Sequence, residues 1–218
     1  MTPEKRKAKS DEKLKALGIA INDNLPLTEP ADTVNLKDKD AVCDRAIAAL
    51  FSIQLALDTA NGQYEDSYEV FSGLMEKCGV TDCLNPAEKR VYDNTASQQD
   101  ISNIVWEYEC YWSLAWALGL VSQEELEDAD DICNCEKAVH LVSDDIDNFR
   151  EKCTLRSKDE ILDELDFFYR LHWACVQNRI KPDTPIAGMN EEVVMERRRA
   201  LEWLVSDEED WYDVSLDT

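Results

Sequence analysis

The sequence predicts an all-α fold, and three observations carry that expectation. Six Gly and six Pro in 218 residues are too few turn formers for a sandwich or barrel of many short strands. Apolar residues recur at i, i+3 and i+4 along nearly the whole chain. Helix-capping signals stand just ahead of several of these segments, most plainly the S-x-x-E pattern of Ser157 and Glu160. Hydrophobic residues at 44% and six Trp are too apolar for a disordered chain. The length suits one core, so the expectation is a single-domain globular helical bundle with long central helices over residues 17–218, preceded by a charged arm or frayed helix at residues 1–16.

Each element follows from local signals. Residues 1–15 hold Lys5, Arg6, Lys7, Lys9, Lys13 and Lys15 against Glu4, Asp11 and Glu12, a basic start that reads as a solvated leading helix. Asn35 can cap a helix through Val42, Ala46, Ala49, Leu50, Ile53 and Leu57 that ends at Asn61-Gly62. A second helix runs through Tyr64, Tyr68, Phe71, Leu74 and Met75 and stops at Gly79, and Asn85-Pro86 with Glu88 starts a short third. The segment from Ile101 to Gly119, opened by Ser97, is hydrophobic on nearly every side, as a central bundle helix is. Between Ser122 and Ser157 the pattern weakens to short helices and loops. Ser157 then opens a long helix to about Arg179, a Pro-containing loop follows, and Asn190 caps a last helix reaching Leu204.

Several stretches carry a family likeness. LRSKDEILDELDFFYRLHWA (Leu155 to Ala174), VVMERRRALEWL (Val193 to Leu204) and WYDVSLDT (Trp211 to Thr218), with LGIAINDNLP (Leu17 to Pro26), CDRAIAAL (Cys43 to Leu50) and WEYECYWSLAWALG (Trp106 to Gly119) upstream, occur in family order. Over residues 14–218 the chain resembles a bacterial family known as domain of unknown function 4272. That resemblance implies a helical domain without assigned activity and supplies no catalytic residue.

Charge narrows the partners. Twenty-three basic against 47 acidic residues give a formal charge of −24, which argues against nucleic acid and anionic membranes and suits a protein partner with a basic surface. The start lacks the apolar run of a secretory signal, and no stretch reaches the ~20 apolar residues of a membrane span. A soluble, cytoplasmic protein with eight reduced Cys is therefore expected, its oligomeric state left open. Cys133, Cys135, His140 and Cys153 have no zinc-site spacing. The glycines never form GxGxxG or GxxxxGK, and no cofactor is expected.

Two constellations remain. Glu124 and Glu127, then Glu160 and Asp163, spell ExxE…ExxD, the carboxylate pattern of magnesium-dependent all-α phosphohydrolases. With 47 acidic residues, about ten i, i+3 acidic pairs arise by chance, so a solvated charged face is preferred and no metal is assigned. The other constellation is polar residues set in apolar stripes. At ~100° per residue, Glu109 falls on the stripe of Val105, Trp112 and Trp116 while Glu107 points away, His172 lies amid Ile161, Leu165, Phe168 and Cys175, and Arg197 sits among Val193, Ala200, Leu201 and Leu204. Arg170 falls on a polar stripe with Asp163 and Asp166. Glu109 and Arg197 are opposite charges suited to pairing in a structural network. The functional alternative is an acid/base site on Glu109, His172 and Arg197 walled by Trp112, Trp116, Tyr169 and Trp173. No catalytic spacing exceeds chance, so the sequence favours a non-catalytic binding or interaction domain over an enzyme.

Overall fold

A computed structural model describes residues 1–218. It contains no β-strand and ten helices: α1 (Pro3–Ala16), α2 (Lys39–Ala60), α3 (Tyr64–Cys78), α4 (Pro86–Tyr92), α5 (Gln98–Ala117), α6 (Gln123–Glu127), α7 (Cys135–Ser143), α8 (Phe149–Lys152), α9 (Lys158–Ile180) and α10 (Glu191–Leu204). The all-α expectation holds. No helix is long and apolar enough to cross a membrane.

The capping signals act as read. Asn85 with Glu88, and Ser157 with Glu160, close reciprocal capping boxes, and Ser97 with Asp100 makes a third. Asn190 caps α10. One cap is corrected: α2 begins three residues beyond the Asn35 position, because Asp38 accepts the Ala41 backbone N–H at 2.9 Å and takes the N-cap.

The helices gather into two compact units interleaved along the chain. The first comprises Met1–Lys37, Gln123–Ile132 and Leu155–Thr218, the second Asp38–Ser122 and Cys133–Thr154.

In the second unit α2 packs on α5, with α3 and α4 also against α2. Ala46, Ala48 and Ala49 are fully buried, and such small side chains let helix backbones approach closely. The turn after α5 depends on Gly119, whose φ of 77° is left-handed and whose Cβ, if present, would lie 3.1 Å from the Thr154 carbonyl oxygen. Glu107 corrects the sequence reading, since it is fully buried. Arg45 of α2 makes two bonds to the Glu88 carboxylate and one to the Cys83 carbonyl, and Asn85 donates to Glu107 at 3.0 Å. Arg45 stands 3.9 Å from Glu107, and burial plus the adjacent Glu88 charge push the Glu107 carboxyl well above the usual range. Of the four residues without zinc-site spacing, Cys133 and Cys135 lie together, with Cys135 Sγ on the Cys133 carbonyl and Cys133 Sγ on the Tyr108 carbonyl, while Cys153 Sγ meets the Phe149 carbonyl and His140 the Asp144 carboxylate.

In the first unit α9 packs against α10 and α1. The residues read as a charged arm or frayed leading helix form α1, which buries Arg6, Ser10, Asp11 and Leu14. Its cations face α9: Arg6 donates to Asp163 at 3.1 Å and Asp159 at 3.4 Å, and Lys9 to Asp163 at 2.8 Å. Arg170 corrects the polar-stripe reading. It is buried, grips Asp166 through bonds of 2.9 and 2.8 Å, and donates to the Pro26 carbonyl. Asp166 also accepts from the Thr28 hydroxyl.

Because Asp166 is fully buried, Arg170→Ala should lower unfolding free energy by about 3–5 kcal/mol, the cost of stranding a buried charge. The double change Arg170→Met with Asp166→Leu should recover most of that loss in urea unfolding. Additive losses would show that the two side chains act independently.

Candidate functional site

Three segments of the first unit enclose a cleft of about 240 Å³ lined by Lys9, Ser10 and Lys13 from α1, Gln123 and Glu127 from α6, and Glu160, Asp163, Glu164 and Phe167 from α9. Its floor is set by sequence. On α9 the i+3, i+4 and i+7 neighbours of Glu164 are Phe167, Phe168 and Leu171, all buried, so a carboxyl is carried into an apolar stripe. Glu164 is 4% exposed. Gln123 donates its side-chain amide to Glu164 Oε2 and to Glu127 Oε1, and Glu127 Oε2 pairs with Lys13. Lys13 also lies 4.2 Å from the centre of the Phe167 ring. Glu164 Oε1 has no hydrogen-bond partner.

Burial is the largest cause of the Glu164 shift and the neighbouring Glu127 charge adds to it. Lys13, the Gln123 amide and Lys9 pull the other way, and the result is a carboxyl pushed up to about 8. At neutral pH it holds its proton. With Oε2 already accepting from Gln123, the proton belongs on Oε1, the oxygen without a partner. The cleft therefore contains a desolvated carboxylic acid that can donate a hydrogen bond or give up a proton.

Placement of α6 rests on Arg197. Its Nη1 donates to the Leu126 carbonyl at 2.7 Å and the Asp128 carbonyl at 2.6 Å, at the C-terminal end of α6. The Asn190 N–H, at the start of α10, donates to the Ala129 carbonyl at 2.8 Å. Arg197 was legible as an inward-facing cation, and here it positions the segment that carries Gln123 and Glu127.

A family model described as domain of unknown function (DUF4272) matches residues 6–214. The chain belongs to that family. No curated protein and no solved structure matches it significantly. DUF4272 membership covers both units and assigns no chemistry, so the side chains alone must supply it.

Of the ExxE…ExxD residues, Glu127, Glu160 and Asp163 come to the cleft and Glu124 is exposed outside its lining. Those three already have cations of the chain: Glu127 has Lys13, Asp163 has Lys9 and Arg6, and Glu160 has Arg156 at 3.6 Å. No three His, Cys, Asp or Glu side chains form a group able to hold a metal ion.

The other candidates have their own environments. His172 is buried beside Arg198, which approaches its Nδ1 to 3.0 Å. Burial and the charges of Arg198, Arg179 and Arg199 push His172 down to about 4, so at pH 7 the ring is neutral and its Nδ1 lone pair faces a guanidinium. That geometry removes Nδ1 as a base. Arg198 also holds Glu202, lies 4.8 Å from the Tyr169 ring and donates to the Leu216 and Asp217 carbonyls. Tyr169 and Arg198 line a separate groove of about 250 Å³ with Pro26, Leu162 and Leu165, and Trp173 is half-buried on α9. In the second unit, Glu109 accepts the Cys133 backbone N–H at 2.7 Å, and Trp112 and Trp116 are core residues of α5. The residue that sequence reasoning passed over is Glu164.

Two measurements follow. A raised carboxyl pKa means that the folded state binds the extra proton between the ordinary value of 4.5 and about 8, so stability falls as pH rises through that window. Glu164→Gln should match the unmodified protein near pH 5 and exceed it by on the order of 4 kcal/mol near pH 9, read by urea unfolding. Equal stability at both pH values would place Glu164 in water. Among the imidazoles, His140 is raised by its Asp144 partner and His172 is depressed. NMR should show one ring titrating above the ordinary 6.5 and the other near 4, and two ordinary titrations would contradict the Arg198 contact.

Proposed function

We propose that the chain is a binding domain whose first unit takes a compact polar ligand in the cleft of α1, α6 and α9. The observation that supports this is the Glu164 carboxyl, nearly buried, with one oxygen unpartnered at the cleft floor. A buried polar atom left without a partner costs about 1–3 kcal/mol, a deficit that a ligand entering the cleft beside Glu164 would fill. The volume, about 240 Å³, falls below the ~300–1,000 Å³ of drug-sized pockets, which favours a small molecule over a peptide.

The binding reading is preferred to a magnesium-dependent phosphohydrolase for one reason. The ammonium groups of Lys9 and Lys13 stand on Asp163 and Glu127, where such chemistry would require free carboxylates. The acidic surface and the absence of a catalytic spacing agree with a non-catalytic role in the cell interior.

NMR spectra recorded with compact amines, carboxylates, amides and inorganic phosphate test the reading. The effective ligand should shift signals from residues 9–13, 123–127 and 160–167 together and raise the melting temperature. Shifts confined to the Tyr169 and Arg198 groove, or none with any probe, would remove the assignment.

A further inference from the structure

Every carboxylate around the cleft except one is matched by a cation of the chain. Asp163 takes Arg6 and Lys9, Glu127 takes Lys13, and Glu160 takes Arg156. Glu164 has the Gln123 amide and nothing charged within pairing distance, with Oε1 unpartnered. Lys9 and Lys13 are its nearest sources of positive charge, and each already holds another carboxylate. An arriving anion would meet committed ammonium groups and the charges of Glu127, Glu160 and Asp163. A cation would meet the one carboxyl of the cleft that no cation of the chain pairs.

We propose that the ligand class of this cleft is a small organic cation carrying a primary ammonium group, which pairs with the Glu164 carboxyl, whose buried Oε1 has no partner in the chain. The inference rests on the cleft being a ligand site and adds the ligand's charge. Phe167, whose ring already receives the Lys13 ammonium, gives the walls a face suited to a cation or to the methylenes next to one.

Binding of this kind is coupled to proton release. In the empty cleft the carboxyl stands at about 8 under opposing influences from Glu127 on α6, from Lys9 and Lys13 on α1 and from the Gln123 amide, with Glu160 and Asp163 on its own helix. An alkylammonium, with an ordinary pKa of ~10.4, stays charged through this range. One proton must therefore leave Glu164 for each ammonium that pairs with it. Affinity should rise about fifty-fold between pH 6 and pH 8, the ratio of ionised fractions for a carboxyl at 8.

The experiment uses the full chain with n-butylamine and putrescine as cations, n-butanol as the neutral comparison, and acetate and inorganic phosphate as anions. Cleft signals are followed by NMR, and proton release by calorimetry in two buffers of different ionisation enthalpy. The expected result is that the amines shift cleft signals, release close to one proton at pH 6 and bind about fifty-fold tighter at pH 8. Glu164→Gln should weaken them at least tenfold and abolish the pH dependence. Acetate or phosphate taking the cleft in place of the amines would overturn the cationic class while leaving the ligand site standing. No cleft response to any probe would overturn both readings. Amine binding that ignores pH, or survives Glu164→Gln unchanged, would assign the ammonium to other carboxylates and overturn the inference. Should Glu164→Gln fail to fold, the carboxyl carbon shift of Glu164 in the unmodified protein decides. It should report an acid at pH 7 in the empty cleft and a carboxylate with amine present, and no change overturns the proposal.

Discussion

Helix α9 turns carboxylates toward its own neighbours, and the first unit is organised around supplying them with positive charge. An uncompensated buried carboxylate costs several kcal/mol, comparable to the 5–15 kcal/mol by which a whole domain is stable. Arg6 and Lys9 answer Asp163, and Arg170 answers Asp166 from one turn along the same helix. Removing α1 would therefore strip cations from α9 as well as apolar cover from its core. That constraint explains why a short helix with a strongly polar sequence is folded onto the protein rather than left in water.

Two buried carboxyls, both raised above the usual range, show how context separates a structural acid from a useful one. Glu107 sits in a closed cluster with Arg45, Asn85 and Glu88, where burial and the neighbouring Glu88 charge disfavour its ionised form. Glu164 is held up by the same desolvation and, like Glu107, has one oxygen without a hydrogen-bond partner, yet it borders a cleft. The first is enclosed among α2, α4 and α5, where no ligand can reach it. The second leaves a deficit that a ligand can fill.

Helix starts were legible where a single side chain closes a local hydrogen bond, as at Ser157, Asn85 and Ser97. The α2 start was misread because Asn35 and Asp38 are both good caps, and only the geometry at Ala41 selects the second. Stripe counting found Arg197 and His172 as inward-facing, and the ExxE…ExxD spacing named three of the four acidic residues of the cleft while reading them as a solvated face. The stripe count misplaced Glu107 and Arg170, because α5 and α9 are covered on more than one side and a single apolar arc does not describe them. Glu164 was visible to the same count, with aromatic neighbours at i+3 and i+4, but it stood inside a dense acidic run and was passed over. Sequence carries the direction of a side chain far better than the identity of what will face it across 40 or 150 residues.

The order in which the chain emerges has a consequence for how it folds. Arg6 finds Asp159 and Asp163 only after more than 150 further residues, and the first unit is assembled from three separated segments with the second unit's residues between them. During synthesis α1 appears early and lacks its partner until the last third of the chain arrives. Closing contacts of such long sequence separation is slow, because chain entropy is lost before the contacts can repay it. The second unit, complete by Thr154, has all its residues available before α9 exists. Folding is thus biased toward the second unit first, with α1 held back as a soluble basic segment until α9 gives it a surface to join.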